Sequence, residues 1–271
     1  MSSHFRQCST LELHRCDGVL VACLNRPKAL NAINRTMREE LRQTLGEAQR
    51  DSGISALVLT ASGRAFCAGH DIKELLALSP SAASAVMLEI GDLYRDLRAF
   101  SKPLVTALNG LALGGGVALA LLSDVRLATA DFEFGFPEID HGLVTALGPW
   151  LLGLFLPPAL AHQIVLSGAR LSAEQCIKYG LVSESVEPND LLSKAISCAS
   201  SLAEKPQSAF SIMKARFAAV TDAGFHEALA AGAGMQEVAH TARLEVRSHS
   251  EKREHGPVEG IRPQHCQRSS S

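Results

Sequence analysis

Three consecutive glycines, Gly114 to Gly116, lie in the middle of the apolar run LALGGGVALALLSD, residues 111–124. Each glycine is roughly 0.5–1 kcal/mol less favourable than alanine inside a helix or strand. A glycine turn before a short helix leaves backbone N–H groups uncovered, at the helix end that carries a partial positive charge. Such donors can stabilise an oxygen that gains negative charge during a reaction. Taken alone, however, a glycine triplet more often reflects the close packing of two backbones.

A second candidate donor lies in the segment GRAFCAGHDIKEL, residues 63–75. This segment begins in a turn after a strand-like stretch and reaches a helix start at His70 and Asp71. Asp71 has the side chain of a helix N-cap, which is a purely structural role. Alternatively, the backbone N–H of His70 is a second donor. Two helix N-termini that converge, one at His70 and one at Gly115, would polarise the same carbonyl oxygen.

A third segment, FEFGFPEIDHGL at residues 132–143, supplies a carboxylate. A lone glutamate is usually a solvated surface residue. Glu138, however, has three phenylalanines and Ile139 as neighbours in the sequence, so we expect its side chain to be removed from water. Desolvation raises the pKa of a carboxylate and suits it to act as a base near neutral pH.

The elements that would position these residues alternate between strands and helices. Residues 10–25 predict a hairpin around Asp17-Gly18, and apolar residues three and four apart predict a helix over 36–51. Short apolar segments at 54–61 and 103–110 are typical of strands that are buried on both faces. We therefore predict an α/β fold.

The second half of the chain is mostly helical, and the helical segments at 189–204 and 207–240 resemble an appended layer. We predict a core domain over residues 1–200 and a C-terminal helical region over 201–271. The segment QSAFSIMKARFAAV has apolar residues on more of its circumference than one core-facing stripe requires, so we expect it to contact another subunit. The charged segment from about residue 244 is expected to be a partly flexible tail.

Composition and missing motifs exclude several classes of function. The chain has 271 residues, a formal net charge of −2 and 5% aromatic residues, so we expect no nucleic-acid partner. It contains no G-x-x-x-x-G-K-[ST], no suitably placed G-x-G-x-x-G and no G-x-S-x-G, which argues against P-loop, Rossmann and common serine-hydrolase chemistry. The histidines lack metal-ligand spacing and the seven cysteines form no C-x-x-C pair. We therefore expect no metal site and reduced thiols.

We also expect no membrane segment and no secretory signal. The most apolar stretch, residues 142–161, contains Pro149, Pro157 and Pro158, which favours two short buried helices over one helix that spans a bilayer. The first ten residues lack the apolar core of a signal peptide. A cytoplasmic location is expected, or the mitochondrial matrix if the organism is eukaryotic.

Together, these segments resemble the crotonase family, also called the enoyl-CoA hydratase/isomerase family. The similarity spans roughly residues 10–240. It is carried, in order, by LNRPKALNAI (24–33), FCAGHDIKEL (66–75), KPLVTALNGLALGGGVALA (102–120), FGFPEIDHGL (134–143) and LSGARLSAEQCIKYGLVSESV (166–186). The resemblance implies a crotonase-like spiral of ββα repeats and a C-terminal helical region that assembles homotrimers or homohexamers. It also implies an acyl-CoA thioester substrate, and no cofactor apart from the coenzyme A of that substrate.

Carried over to this sequence, the family pattern makes Glu138 an acid/base. It makes the backbone N–H groups of His70 and Gly115 the donors to the thioester oxygen. The residues that this pattern predicts to bind acyl-CoA are Lys28, Ala68, His70, Asp71, Ile72, Lys73 and Gly115. Lys28 and Lys73 match positions that approach the CoA phosphates in relatives. A lysine ammonium suits a phosphate, although a solvated surface position is nearly as common for lysine.

One departure from the family pattern concerns the reaction. Hydratases of the family carry two glutamates that flank the water which adds to the double bond, and the first of these positions is occupied by Ala118. Alanine can neither activate water nor donate a proton. One carboxylate suffices to move a double bond, because the same group can remove a proton at C2 and return it at C4. We therefore favour isomerisation of an enoyl-CoA with Glu138 as the sole acid/base.

Three alternatives follow from the same residues. The chain could be an enoyl-CoA hydratase that uses Glu138, or a relative that binds acyl-CoA with little turnover. A peptidase on a related spiral fold ranks last, because no nucleophile–base pair is evident. A further departure is the bulky Trp150, which stands where relatives commonly have a glycine-rich loop and predicts a changed acyl pocket.

Overall fold

The chain forms two sheets, and the successive strands between residues 56 and 135 alternate between them. The computed structural model describes residues 6–254, with side chains up to residue 243. The strands are β1 (Leu11–Cys16), β2 (Val19–Leu24), β3 (Ala56–Ala61), β4 (Ala65–Cys67), β5 (Leu104–Leu108), β6 (Leu111–Leu113), β7 (Val125–Ala128), β8 (Glu133–Gly135), β9 (Arg170–Ser172) and β10 (Glu184–Ser185). The α-helices are α1 (Arg35–Arg50), α2 (Ile72–Leu76), α3 (Pro80–Ala99), α4 (Gly115–Leu121), α5 (Leu147–Gly153), α6 (Pro158–Ser167), α7 (Ala173–Lys178), α8 (Leu191–Ala203), α9 (Gln207–Val220) and α10 (Asp222–Glu254). Short 3₁₀ helices cover Pro27–Ala29 and Pro137–His141.

The larger sheet has the strand order β1-β2-β3-β5-β7-β10 and the smaller one the order β4-β6-β8-β9. Each of β3, β5 and β7 in the larger sheet is followed directly by β4, β6 or β8 in the smaller sheet. The equivalent strands of successive repeats pair in parallel in both sheets. Three repeats therefore stack as turns of a spiral, which confirms the predicted α/β architecture.

Several local predictions along the chain are confirmed. β1 and β2 form an antiparallel hairpin around Asp17 and Gly18. β3 is buried at every position, which explains why its sequence is apolar without alternation. α5 and α6 are two short helices separated by a break before Pro158, as the prolines in this stretch predicted. Within the described part of the chain, no helix has the length and apolar character needed to cross a membrane.

The C-terminal helices are less separate from the core than the sequence suggested. α8 lies against β3 and β5 and shares a cluster of buried residues with them, so the hypothesis that residues 189–204 form part of an appended layer is wrong. α10 packs along α3 and is tied to the end of α2. His240 Nε2 lies 2.8 Å from the Leu75 carbonyl oxygen, and the guanidinium of Arg243 donates to the Leu76 carbonyl at 3.1 Å. Hydrophobic periodicity shows that a helix has a buried face, but it does not show what covers that face.

α9 presents an apolar face to solvent. None of its residues is buried. Its exposed apolar side chains, between 57% and 75% accessible, are Ile212, Met213, Phe217 and Val220. Lys214 anchors the other side of the helix, since its Nζ donates to Asp124 Oδ2 at 2.7 Å. α9 is therefore held on the body of the molecule with an apolar stripe directed outward.

α10 continues to Glu254. The segment from residue 244, which we expected to be flexible, therefore begins as part of a helix. Residues 255–271, where the rest of the predicted tail falls, lie outside the described residues. The division of the chain at residue 200 stays a prediction.

The packing of α4 predicts a contrast between two helical glycines. A Cβ on Gly116 would overlap the carbonyl oxygen of Cys67 and lie 2.8 Å from its Cβ, so Gly116→Ala should lower the free energy of unfolding by about 1–3 kcal/mol, the usual cost of overpacking. A Cβ on Gly153 would meet no atom within 4 Å. Gly153→Ala should therefore be neutral or gain up to about 1 kcal/mol. Urea unfolding measures both, and equal stabilities of the two variants would contradict the close approach at Gly116.

Candidate active site

The glycine turn between β6 and α4 forms the centre of the candidate site. A Cβ on Gly114 would overlap Glu138 Oε1, and a Cβ on Gly115 would lie 2.8 Å from His70 Nε2. Gly114 also has a φ of 48°, a conformation that side chains disfavour. Gly116 packs against β4 as described above. The triplet therefore serves the close approach of backbones and also leaves space for two functional side chains.

The backbone N–H groups of His70 and Gly115 belong to two segments that touch. α4 begins at Gly115, and a Cβ on Gly69 would lie only 3.3 Å from Gly115 N. Neither N–H of the pair has an acceptor within residues 6–254. Free N–H groups at the start of a helix are suited to bind an oxygen of a ligand.

These segments line a cavity of about 100 Å³ whose walls are mostly apolar. The polar side chains in its wall are those of His70, Tyr94, Glu138, His141, Thr145 and Gln236. Ala118 also lines the cavity, so a side chain at this position would reach the same space as Glu138. The wall includes residues of the glycine turn, of the 3₁₀ helix Pro137–His141, of α3 and of α10.

Glu138 is a buried carboxylate in this wall. Its Oε2 has no hydrogen-bond partner in the described part of the chain, and burial raises the pKa of the carboxyl from an ordinary 4.5 to about 7. Phe136, two residues before Glu138, lines the cavity and makes a T-shaped contact with Phe134, at 6.2 Å between ring centroids. Ile139 is 46% exposed, so the prediction that it shields the carboxylate is wrong. The 3₁₀ helix directs this side chain outward.

Tyr94 and His70 form a second polar group in the cavity. The Tyr94 hydroxyl lies 2.8 Å from His70 Nε2. Burial and the positive charge of the nearby Arg38 lower the pKa of His70 to about 3, and burial raises the pKa of Tyr94. Arg38 is itself paired with Glu74 at 2.6 Å. Of the three side chains His70, Tyr94 and Glu138, only Glu138 therefore changes its charge near neutral pH.

The residues predicted to bind acyl-CoA fall into two groups. Those that line the cavity are Ala68, His70, Ile72 and Gly115. Asp71 lies outside it: Oδ1 accepts a hydrogen bond from Lys73 N at 3.2 Å as the cap of α2, and Oδ2 pairs with Arg26 at 3.1 Å. The structural role considered for Asp71 is thus confirmed. Lys28 and Lys73 are exposed outside the cavity, on segments that the Arg26–Asp71 pair holds side by side.

Sequence reasoning missed the contributions of α3 and α10 to the site. Tyr94 lies in the apolar stripe of α3, and its hydroxyl is the one feature of the sequence there that could have indicated a site residue. Gln236 of α10 is 1% exposed and accepts a hydrogen bond from Val144 N at 3.4 Å. Its position depends on how α10 folds back, which no local pattern encodes. Trp150 packs against Phe225 with ring centroids 5.4 Å apart and is not part of the cavity wall, so it does not shape the pocket by direct contact.

Comparison with known proteins decides the family. The family model described as "Enoyl-CoA hydratase/isomerase" matches residues 14–256. The chain belongs to this family. The resemblance found in the sequence is therefore confirmed, and this family member is an acyl-CoA enzyme.

Individual relatives of this hydratase/isomerase family member agree with the assignment. It is 40% identical over 197 residues to 2,3-dehydroadipyl-CoA hydratase of Escherichia coli, a match that covers 72% of this chain and 76% of that protein. It is 36% identical over 216 residues to mitochondrial enoyl-CoA hydratase of Pongo abelii, covering 79% and 72%. A solved enoyl-CoA hydratase/isomerase from Mycobacterium paratuberculosis matches with a TM-score of 0.80 at 26% identity, over 87% of this chain and 95% of that one.

The burial of Glu138 predicts a pH-dependent cost in stability for this family member. Between pH 4.5 and about 7, the folded state keeps a proton on Glu138 that the unfolded state has lost, so folding becomes less favourable as pH rises through this window. Glu138→Gln removes the charge at every pH. We therefore expect Glu138→Gln to be more stable than the wild type at pH 8. The difference in the free energy of unfolding between the two proteins should be roughly 3 kcal/mol larger at pH 8 than at pH 4.

Glu133→Gln is the matched control for this measurement. Glu133 lies five residues away on β8, is exposed, and pairs with Arg170 at 2.8 Å. Removing an exposed pair changes stability by at most about 1 kcal/mol. Urea unfolding between pH 4 and 9 compares the two variants, and a gain for Glu138→Gln that does not grow with pH would disprove the desolvated carboxylate.

Proposed function

We propose that the cavity binds the acyl chain and thioester of an enoyl-CoA, and that Glu138 moves a proton along the chain to shift its double bond. The observation that carries this proposal is the environment of Glu138. Its carboxylate is buried, its Oε2 has no hydrogen-bond partner among the described residues, and its pKa is raised to about 7. Alanine stands at the other acid/base position of the family, Ala118. A base with a pKa near the working pH is the most effective.

The proposed reaction has two proton transfers. The Glu138 carboxylate removes a proton from C2 of a 3-enoyl-CoA, and the C2–H electron pair moves into a dienolate whose negative charge lies on the thioester oxygen. The backbone N–H groups of His70 and Gly115 donate to that oxygen. The Glu138 carboxyl then returns the proton to C4, which yields the 2-enoyl-CoA. In known enzymes the loss of one such oxyanion donor costs about 100–1000-fold in rate.

Hydration of a 2-enoyl-CoA is the second candidate. The relatives from Escherichia coli and Pongo abelii are hydratases by name, at 40% and 36% identity. Hydration uses the same enolate and the same oxyanion donors. Glu138 alone would have to accept a proton from water and deliver one to C2, and Ala118 cannot hold the water, so we expect hydration by the wild type to be slower than isomerisation.

The proposal is tested by comparing turnover of 3-enoyl-CoA and 2-enoyl-CoA in the wild type, Glu138→Ala and Ala118→Glu. Glu138→Ala should lower isomerisation by roughly 100–10,000-fold, the usual loss for a general acid/base. Ala118→Glu should raise hydration, because it adds a carboxylate to the cavity. For the wild type, kcat/KM of isomerisation should rise with pH through about 7, since Glu138 must be ionised to accept the C2 proton.

Binding of a saturated acyl-CoA, measured by calorimetry, is the control for these variants. Glu138→Ala should bind it as the wild type does, because the carboxylate acts on C2 and does not hold the CoA. Fast hydration by the wild type that persists in Glu138→Ala would overturn both the residue and the reaction. Normal binding without any turnover would favour the alternative of an acyl-CoA-binding relative.

We infer that Lys28 and Lys73 contact the phosphates of the CoA outside the cavity. Both lysines are exposed, and their segments are joined by hydrogen bonds such as that from Ala68 N to the Leu30 carbonyl at 2.9 Å. A cytoplasmic location stays our prediction for this protein.

We also infer that the apolar stripe of α9 pairs with other copies of the chain, in a homotrimer or homohexamer. Phe217, at 75% exposed, is the largest side chain of this stripe. Phe217→Asp should shift sedimentation from the assembly to the monomer, because a buried charge without a partner opposes association. Leu166→Asp, at 69% exposed on α6, is the matched control and should leave the assembly intact. A wild type that sediments as a monomer would contradict this inference.

A further inference from the structure

The pair formed by Tyr94 and His70 is not used by the proposed isomerisation. The His70 imidazole fills the space that a side chain on Gly115 would need, with Nε2 only 2.8 Å from that Cβ position. Tyr94 reaches the imidazole from α3, and both residues line the cavity. The pair is therefore held by the same glycine turn that supports the Glu138 carboxylate.

Counting protons shows what the pair still offers to a ligand. The neutral imidazole and the hydroxyl together carry one N–H and one O–H, and their mutual hydrogen bond uses one donor and one acceptor. If the hydroxyl donates to Nε2, its oxygen is left as an acceptor. If Nε2–H donates to the hydroxyl, the O–H is left as a donor. The other remaining capacity is at His70 Nδ1, which has no partner among the described residues.

A ligand group that can both donate and accept a hydrogen bond can bind the pair in either arrangement of the Tyr94–His70 hydrogen bond. Water and alcohols have this property, whereas an ionised carboxylate only accepts and an ammonium only donates. Tyr94 lines the cavity and its hydroxyl keeps one unused donor or acceptor after its contact with His70, so a ligand oxygen that can do both is able to bind it in either arrangement. Around the pair, Arg38 is the nearby cation and Glu138 the nearby anion.

We propose that the Tyr94 hydroxyl, oriented by the His70 imidazole, binds the oxygen at C3 of the acyl chain, either the hydroxyl of a 3-hydroxyacyl-CoA or the water that adds to a 2-enoyl-CoA. This proposal rests on the proposed function, because it requires an acyl-CoA in the cavity. Tyr94 contacts the substrate directly, and His70 acts through its side chain as a positioning residue. The two side chains provide the water contact that Ala118 cannot make.

The proton balance of hydration then closes with a single carboxylate. The water oxygen forms a bond to C3 while its proton passes to the Glu138 carboxylate. The C2–C3 π electrons move into the thioester enolate, which the backbone N–H groups of His70 and Gly115 bind. Glu138 then gives its proton to C2, and the product is the 3-hydroxyacyl-CoA. Tyr94 keeps its own proton throughout and acts by orienting the oxygen.

The experiment measures binding of 3-hydroxybutyryl-CoA and butyryl-CoA by calorimetry in a Glu138→Gln background, which prevents turnover. The Glu138→Gln protein should bind 3-hydroxybutyryl-CoA more tightly than butyryl-CoA. Adding Tyr94→Phe should weaken 3-hydroxybutyryl-CoA about tenfold, the loss expected for one hydrogen bond. It should leave butyryl-CoA unchanged within twofold, because phenylalanine keeps the ring. His70→Ala, which retains the backbone N–H but removes the imidazole that orients the hydroxyl, should reduce the preference for the hydroxylated ligand over butyryl-CoA.

Tyr179→Phe is the matched control, because Tyr94 and Tyr179 are the two tyrosines of the chain and Tyr179 is not part of the cavity wall. It should keep the preference for the hydroxylated ligand. Equal affinities for the two ligands before any change at Tyr94, or an equal loss of both in Tyr94→Phe, would overturn this proposal while the proposed function stands. Failure to bind either acyl-CoA would overturn both.

Discussion

At the start of α4 the chain passes so close to its neighbours that no side chain fits between them. Glu138 lies against Gly114, His70 against Gly115 and β4 against Gly116. Segments that are far apart in the sequence therefore meet at three consecutive residues. A side chain on any of the three would displace a different partner, so the triplet fixes the relative positions of the backbone donors, the carboxylate and the imidazole. Three glycines are unfavourable for the backbone entropy of folding, but only residues without side chains allow these segments to approach so closely.

The same convergence buries a carboxylate, which is unfavourable for folding. Oε2 of Glu138 has no hydrogen-bond partner among the described residues, and burial raises the pKa of the carboxyl to about 7. The surrounding spiral compensates through extensive apolar burial, including the T-shaped contacts among Phe132, Phe134 and Phe136. Active sites commonly keep such unfavourable groups because the surrounding fold holds them in place.

The parts of this molecule that the sequence predicts are those governed by local rules. The hairpin at Asp17-Gly18, the buried strand β3 and the glycine turn each depend on a few consecutive residues. The outward direction of Ile139 was missed, because a 3₁₀ helix and an extended segment send alternate residues to different sides. Tyr94 and Gln236 were missed for a larger reason: their place in the cavity depends on α10 packing along α3, a contact between residues more than a hundred positions apart. The resemblance to the family rests on motifs that do not include these two side chains.

Charge explains why one carboxylate in this cavity can be an advantage. The neutral His70 and Tyr94 leave Glu138 as the one member of their group that ionises near neutral pH. In the proposed isomerisation, the negative charge moves from Glu138 to the thioester oxygen and back, so the cavity holds a single negative charge at every stage. A carboxylate at position 118 would add a like charge and raise one of the two pKa values further. In the proposed reactions, Ala118 therefore avoids a second charge that would oppose ionisation of Glu138, and holding a water molecule falls to Tyr94 and His70, which carry no charge.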